Sequence, residues 1–392
     1  MKHVLTYLKG DRIIWIITLI LLAFSLVSVY SFVPILVKIE GGTPIQYLMK
    51  HALYVGLGIA GMLWIHRLDA KYYAQLTKFL YVLAIALLVF TFFFGAKVND
   101  AGRWIRIPFV GLTFQTSDYA KIALLLYLSR MLVVKREKLH SWKEGFVPVM
   151  LPVFIICSLI LKDNFSTAAL LFLICLVVMF VGQVPIGKLF TFVSVGVVFV
   201  ALLIGIQKMV PEITILPRLQ TWENRFLTKL EGKEDAIANA QALNAELAIY
   251  NGSFFGQGVG DGKLKEFIPE AYADFYYASF VEEFGLIWAV VLALSYLILL
   301  FRIIRIGLKT EKLFESYVCI GIGILILTQA SVNMMVCCGL LPVTGQNMPL
   351  LAMGGSALIM TCAALGVIQS FAEGINKKEL EKNSGINALV EA

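Results

Sequence analysis

Long uninterrupted apolar runs constrain this chain more than any other feature. Stretches of roughly twenty apolar residues recur from residue 13 to residue 373, separated by short polar punctuation. A helix needs about 20 such residues to cross the roughly 30 Å hydrocarbon core of a bilayer. Lipid offers the backbone no hydrogen-bond partner, so a crossing segment must satisfy itself as an α-helix or within a closed barrel. Barrel strands alternate apolar and polar residues, whereas these runs are continuous. The chain therefore reads as an all-α integral membrane protein. Composition agrees: 59% of the 392 residues are hydrophobic and only 15% are charged, against about 45–50% and about 25% in soluble domains.

About ten spans are predicted, at 13–36, 50–66, 76–96, 116–134, 146–161, 166–183, 188–209, 277–301, 316–338 and 350–373. The first is too long for the apolar core of a signal peptide and lacks a small-residue cleavage site, so it reads as a retained span. Lys and Arg gather near the N-terminus (Lys2, Lys9, Arg12), after span two (Arg67, Lys71), after span four (Lys135, Arg136, Lys138, Lys143), after span eight (Arg302, Arg305, Lys309, Lys312) and in the tail (Lys377, Lys378, Lys382). The positive-inside rule puts all of these, and both termini, in the cytoplasm. That placement accounts for the net charge of +7 without nucleic acid. The resulting division is a polytopic membrane domain over 1–374, containing one large extracytoplasmic loop at 209–276 between spans seven and eight, and a cytoplasmic tail over 375–392. Within the loop, 239–250 reads as a short helix. The six cysteines lie in or beside apolar segments without disulfide or metal spacing, and the four histidines (His3, His51, His66, His140) are scattered, which argues against a zinc centre.

Several polar residues stand out against this background. Asp274 sits at the outer boundary of span eight, either as a helix N-cap or as a general base in a groove at the bilayer surface. Glu282 and Glu283 lie inside span eight, where unpaired carboxylates are costly, so an interior ion pair competes with a substrate or metal role. The short outer loop after span three carries Arg103, Trp104 and Arg106. Its arginines break the positive-inside pattern, and a guanidinium fork matches phosphate, whereas Trp104 reads as an interface anchor. Gln115, Ser117 and Asp118 open span four, with Ser117 and Asp118 as capping residues, and Lys121 either snorkels outward or points into a polar interior. Gln329 and Asn333, one turn apart in span nine, form a polar stripe. The Gly/Pro-rich stretch with Pro342, Thr344, Gly345, Gly354, Gly355 and Ser356 predicts irregular backbone at the membrane edge, which must be buried in protein or line a polar cavity. The run Gly256-Gln257-Gly258-Val259-Gly260 lacks the βαβ context of a dinucleotide fingerprint and reads as a turn allowing close backbone approach.

Taken in order, these elements resemble the SEDS family (shape, elongation, division and sporulation proteins). The resemblance is carried by Gly339–Gly345 with Gly354–Ser356, by Phe255–Gly260 with Phe267–Phe275, and by Arg103-Trp104 with Gln115–Lys121. It covers nearly the whole chain and is closer to the division branch than to the elongation branch. Two departures are Gln115-Thr-Ser-Asp118, where Gln-Pro-Ser-Glu is common, and Asn164, where an Asp is common.

The resemblance implies a glycosyltransferase polymerising lipid II at the outer face of the bacterial cytoplasmic membrane during division, with a class B penicillin-binding protein and other division proteins as partners. It implies Asp274 as catalytic base in an inverting transfer that releases polyprenyl pyrophosphate. Arg103, Arg106 and Lys121, and more weakly Lys265 and Arg218, are candidates to neutralise that pyrophosphate; Glu270 is a supporting loop residue. No nucleotide is required, and a divalent cation, magnesium or manganese, stays open. Two other classes also stay open: a lipid II flippase, and a non-catalytic scaffold that activates its transpeptidase.

Overall fold

The computed structural model describes residues 9–98, 101–106, 112–209, 236–268 and 271–390. Its helices are α1 (Arg12–Glu40), α2 (Pro44–Ile65), α3 (Ala70–Phe94), α4 (Thr116–Val134), α5 (Val147–Leu161), α6 (Phe165–Val181), α7 (Ile186–Met209), α8 (Ala236–Gly252), α9 (Tyr276–Lys309), α10 (Leu313–Cys337) and α11 (Gly355–Val390). Each of the ten predicted spans has its helix, and α8 contains the predicted 239–250. Among the described residues eight helices are long and apolar enough to cross a membrane, and α6 is a shorter apolar helix. The tenth, α4, carries Asp118, Lys121 and Arg130, yet its flanks are buried along most of its length. It packs against α3, α5, α10, α6 and α11. A helix shielded from lipid on every side can hold charges that a peripheral one cannot. At the other extreme, α7 is almost wholly exposed along its apolar length. Residue 375, where the tail was expected to begin, falls inside α11.

Local chemistry sets the helix ends. The Asp11 carboxylate accepts from the amides of Ile13 (2.9 Å) and Ile14 (3.2 Å), capping α1. Pro44 opens α2, and the Gln46 side chain reaches back to the Thr43 amide at 3.1 Å. Asn164 caps α6 by accepting from the Thr167 amide at 3.0 Å.

One feature was not anticipated. The loop after α3 forms a small antiparallel sheet, β1 (Ala96–Val98), β2 (Ala101–Arg106) and β3 (Thr113–Gln115), in that order. Trp104 pairs with Gln115 and Arg106 with Thr113. Tyr54 of α2 fastens the sheet: its hydroxyl donates to the Thr113 carbonyl (3.3 Å) and accepts from the Thr113 amide (2.9 Å). β1 and β3 are too short to show alternation in sequence, and β2 (Ala-Gly-Arg-Trp-Ile-Arg) does not alternate.

The Gly256–Gly260 run has a clear structural purpose. Helix α9 is broken at Gly285, whose φ of 86° lies in the left-handed region. The break frees backbone groups, and the segment after α8 satisfies them. The amides of Gln257 and Gly258 donate to the carbonyls of Glu282 (2.9 Å) and Glu283 (3.1 Å), and the amide of Leu286 donates to the Ser253 carbonyl (2.9 Å). Non-helical backbone at membrane depth is tolerated only when buried in protein this way. The contact needs glycine: a Cβ on Gly252 would lie 2.1 Å from the Val281 carbonyl oxygen. Gly252→Ala is therefore expected to destabilise the protein by about 1–3 kcal/mol, read as a lower thermal unfolding midpoint in detergent. An unchanged midpoint would show that α8 does not bear on α9 in this way.

Candidate active site

The structure gathers the predicted residues into two polar centres at one end of the bundle. The first surrounds Asp274. This residue lies half-buried in a turn over 271–275, anchored by the buried side chains of Ala271, Phe275 and Tyr276. The N-cap of α9 is Phe275, not Asp274, so the capping role considered for Asp274 is not the one the fold uses. The turn is held through its backbone. Asn333 of α10 donates through its amide nitrogen to the carbonyls of Asp274 (3.0 Å), Gln346 (2.9 Å) and Ala273 (3.4 Å). Its oxygen accepts from the Tyr277 amide at 3.4 Å. Gln346 in turn donates to Thr167 of α6 at 2.6 Å.

Gly345, with φ of 70°, forms the floor between these parts. A Cβ there would lie 3.8 Å from both the Asn164 amide nitrogen and an Asp274 carboxylate oxygen. The carboxylate and the carboxamide thus border one glycine. Pro342 and Thr344 are half-buried in the same stretch, and Gln329 is half-buried a turn before Asn333.

The second centre joins α4 to α11. Lys121 and Asp118 form a buried ion pair at 2.9 Å, and Ser356 donates to the other Asp118 oxygen at 2.8 Å. Lys121 therefore points inward. The cap position of α4 is Gln115 and no side chain caps it. Asp118 and Ser117 sit in the first turn instead, and Gln115 donates to Ser117 at 2.8 Å. Gly355 receives the Tyr54 ring, which leaves no room for a Cβ, and Gly354 receives the Asn347 side chain. The two centres are tied by the Met353 amide, which donates to the Tyr272 carbonyl at 3.0 Å.

The remaining candidates fall elsewhere. Lys265 is buried against Glu283 (2.5 Å) and Ser31, so its charge is already matched. Glu282 accepts from the amides of Lys263 (3.0 Å) and Leu264 (3.1 Å), while its second oxygen is buried without a partner. Arg103 lies in β2, its side chain outside the described part; Trp104 is half-buried and Arg106 exposed on the same strand. Arg218 and Glu270 lie outside the described residues. Among the described residues no three His, Cys, Asp or Glu side chains form a cluster that could hold a metal ion. Asn164, Thr167, Gln346 and Ser31 were not among the candidates. Asn164 and Thr167 lie in one segment resembling a family element, and Gln346 in the Gly345–Pro349 run, so each carried a usable signal, whereas Ser31 carries none in sequence.

The geometry has an electrostatic consequence. Helices α4, α6, α9 and α11 all begin at these two centres, bringing four positive dipole ends to one place. Each N-terminus carries about half a positive charge and free amides suited to anions.

The family model described as "Cell cycle protein", which spans FtsW, RodA and SpoVE, matches residues 11–377. The chain belongs to this family. A FtsW/RodA/SpoVE relative, the probable peptidoglycan glycosyltransferase FtsW of Geobacter sp. (strain M18), is 34% identical over 91% of this chain and 95% of its own. The name FtsW is that of the division branch to which the motifs pointed. Two solved structures share the FtsW/RodA/SpoVE fold. A chain of a peptidoglycan synthase complex superposes with a TM-score of 0.70 at 23% identity, covering 93% of this chain and 98% of that one. The rod shape determining protein RodA of Thermus thermophilus gives 0.64 at 22% identity, covering 94% and 98%.

Proposed function

We propose that this membrane protein is a peptidoglycan glycosyltransferase that polymerises lipid II, with Asp274 as general base. The observation that supports this most directly is that the Asp274 carboxylate and the Asn164 carboxamide both border the bare backbone of Gly345, beside four helix N-termini. One oxygen of Asp274 takes the proton of the acceptor sugar's 4-hydroxyl. The oxygen of that sugar hydroxyl attacks the anomeric carbon of the donor, the bond from that carbon to the diphosphate breaks, and polyprenyl pyrophosphate leaves with its electron pair, inverting the configuration. The leaving group is already activated, so the protein's task is to position two lipids and stabilise negative charge. The helix N-termini supply positive potential there, with Arg103 and Arg106 on the adjacent strand β2, while the charge of Lys121 is matched by Asp118. A magnesium or manganese ion bound to the pyrophosphate would add to that charge neutralisation.

By the distribution of Lys and Arg, both termini lie in the cytoplasm and the site faces outward from the bacterial cytoplasmic membrane. The polymer is handed to a class B penicillin-binding protein in the division machinery. Incubating purified lipid II with the purified protein and its cognate transpeptidase should yield glycan strands. Absence of polymer alongside transfer of lipid II between leaflets would favour a flippase, and absence of both a scaffold.

Asn333 tests the positioning argument. Asn333→Leu keeps volume but leaves the Asp274 and Gln346 carbonyls unpaired. A misplaced base should cost about 10²-fold in rate, mainly in kcat. A change confined to KM would assign Asn333 to lipid binding.

A further inference from the structure

A second polar site lies at the opposite end of the bundle, where the N-terminus of α1 meets the C-terminal part of α9. A cavity of about 290 Å³ opens there, lined by Asp11, Arg12, Arg302, Arg305, Lys309 and Asn376 among others. Four cationic side chains thus face one carboxylate, and that carboxylate is already engaged. Asp11 caps α1 and accepts from two guanidinium nitrogens of Arg302, one at 2.9 Å. Its backbone is pinned by Gln369, which accepts from the Asp11 amide (2.7 Å) and donates to its carbonyl (2.9 Å).

The other acids of this face are also taken. Glu373 pairs with Lys377 (2.9 Å) and Lys9 (3.4 Å), Glu379 with Lys309 (3.1 Å), Glu311 with Lys378 (2.8 Å) and Glu315 with Lys312 (3.0 Å). Among the described residues neither Arg12 nor Arg305 has an ion-pair partner, and both are exposed. Beside them the surface is apolar: Ile13 lines the cavity, and Ile13, Ile16, Phe301 and Leu308 are exposed on the two helices.

We propose that this cavity binds the phosphate headgroup of an anionic phospholipid. The unpaired guanidiniums of Arg12 and Arg305 take the phosphate, Arg302 is held in place by Asp11, and the acyl chains lie along the exposed apolar faces of α1 and α9. Basic pockets between transmembrane helices at the headgroup level suit anionic lipids for this reason. The site is at the far end from Asp274 and does not depend on the catalytic reading.

The experiment uses the full chain in mild detergent, titrated with phosphatidylglycerol, phosphatidylcholine or inorganic phosphate. Bound lipid is counted by native mass spectrometry and stability followed by thermal unfolding. Wild type should retain phosphatidylglycerol in preference to phosphatidylcholine. Arg12→Gln with Arg305→Gln should weaken that retention about thirtyfold, each surface cation being worth about a fivefold factor. These side chains are exposed and unpaired, so the variant should fold, and an unshifted unfolding midpoint without added lipid checks that it does. Equal retention of both lipids, or undiminished retention by the folded variant, overturns the proposal. Saturable stabilisation by inorganic phosphate at concentrations that displace phosphatidylglycerol would assign the cavity to a soluble phosphate and overturn the lipid.

Discussion

Replacing Asp274 by alanine or asparagine should lower lipid II polymerisation by about 10²–10⁴-fold, the usual contribution of a positioned base. The loss should appear equally in kcat and kcat/KM, because proton abstraction occurs in the transition state and not in the bound ground state. The protein should remain folded: Phe275 is the N-cap of α9, and the turn is held by Asn333 through backbone carbonyls that the substitution leaves intact. Binding of the transpeptidase should be unaffected, since the change is one half-buried side chain. Measuring polymer length and amount beside thermal unfolding separates these effects. Polymerisation by a folded Asp274→Asn protein at the wild-type rate would remove Asp274 as the base and return attention to a scaffold.

The largest expected effect on stability comes from Lys265 and Glu283. Their side chains are about 4% and 3% exposed and lie 2.5 Å apart, with Ser31 of α1 hydrogen-bonded to both. The pair joins three parts of the chain: α1, the loop after α8, and α9 just ahead of its break at Gly285. Removing one member leaves a buried charge without its partner, which costs about 3–5 kcal/mol. Lys265→Met is the more damaging change, because Glu282 and Glu283 then share a buried region with no cation between them. Removing both charges, Lys265→Met with Glu283→Gln, should recover much of the loss, since a neutral pair carries little desolvation penalty. Thermal unfolding of the two single variants and the double variant gives the coupling directly. If the double variant is as unstable as the sum of the singles, the two residues do not act as a pair.

The fold was legible because the bilayer makes hydrophobic length decisive. Ten runs of adequate length left no alternative to ten helices, and even α4, with three charges, was marked by its flanking polar loops. Asp274 stood out through its position at a span boundary and its surrounding motif, and the fold sets it in a turn fixed by Asn333. The partners of these residues were not legible. Whether Lys121 snorkelled or turned inward depended on Ser356, which follows it by more than two hundred residues. Glu283 could have faced substrate or a counter-ion until the loop after α8 folded back to place Lys265 beside it. Asp118 and Asp274 both read as helix caps from local sequence, yet Gln115 and Phe275 occupy those positions because tertiary contacts engage Asp118 and fix the turn around Asp274. The short sheet after α3 is set by Tyr54 of another helix. Sequence alone determined which segments cross the membrane, because burial in lipid is a property of each segment by itself. Tertiary structure alone decided which polar groups meet, because a buried charge is stabilised by whichever partner the packing brings within hydrogen-bond distance.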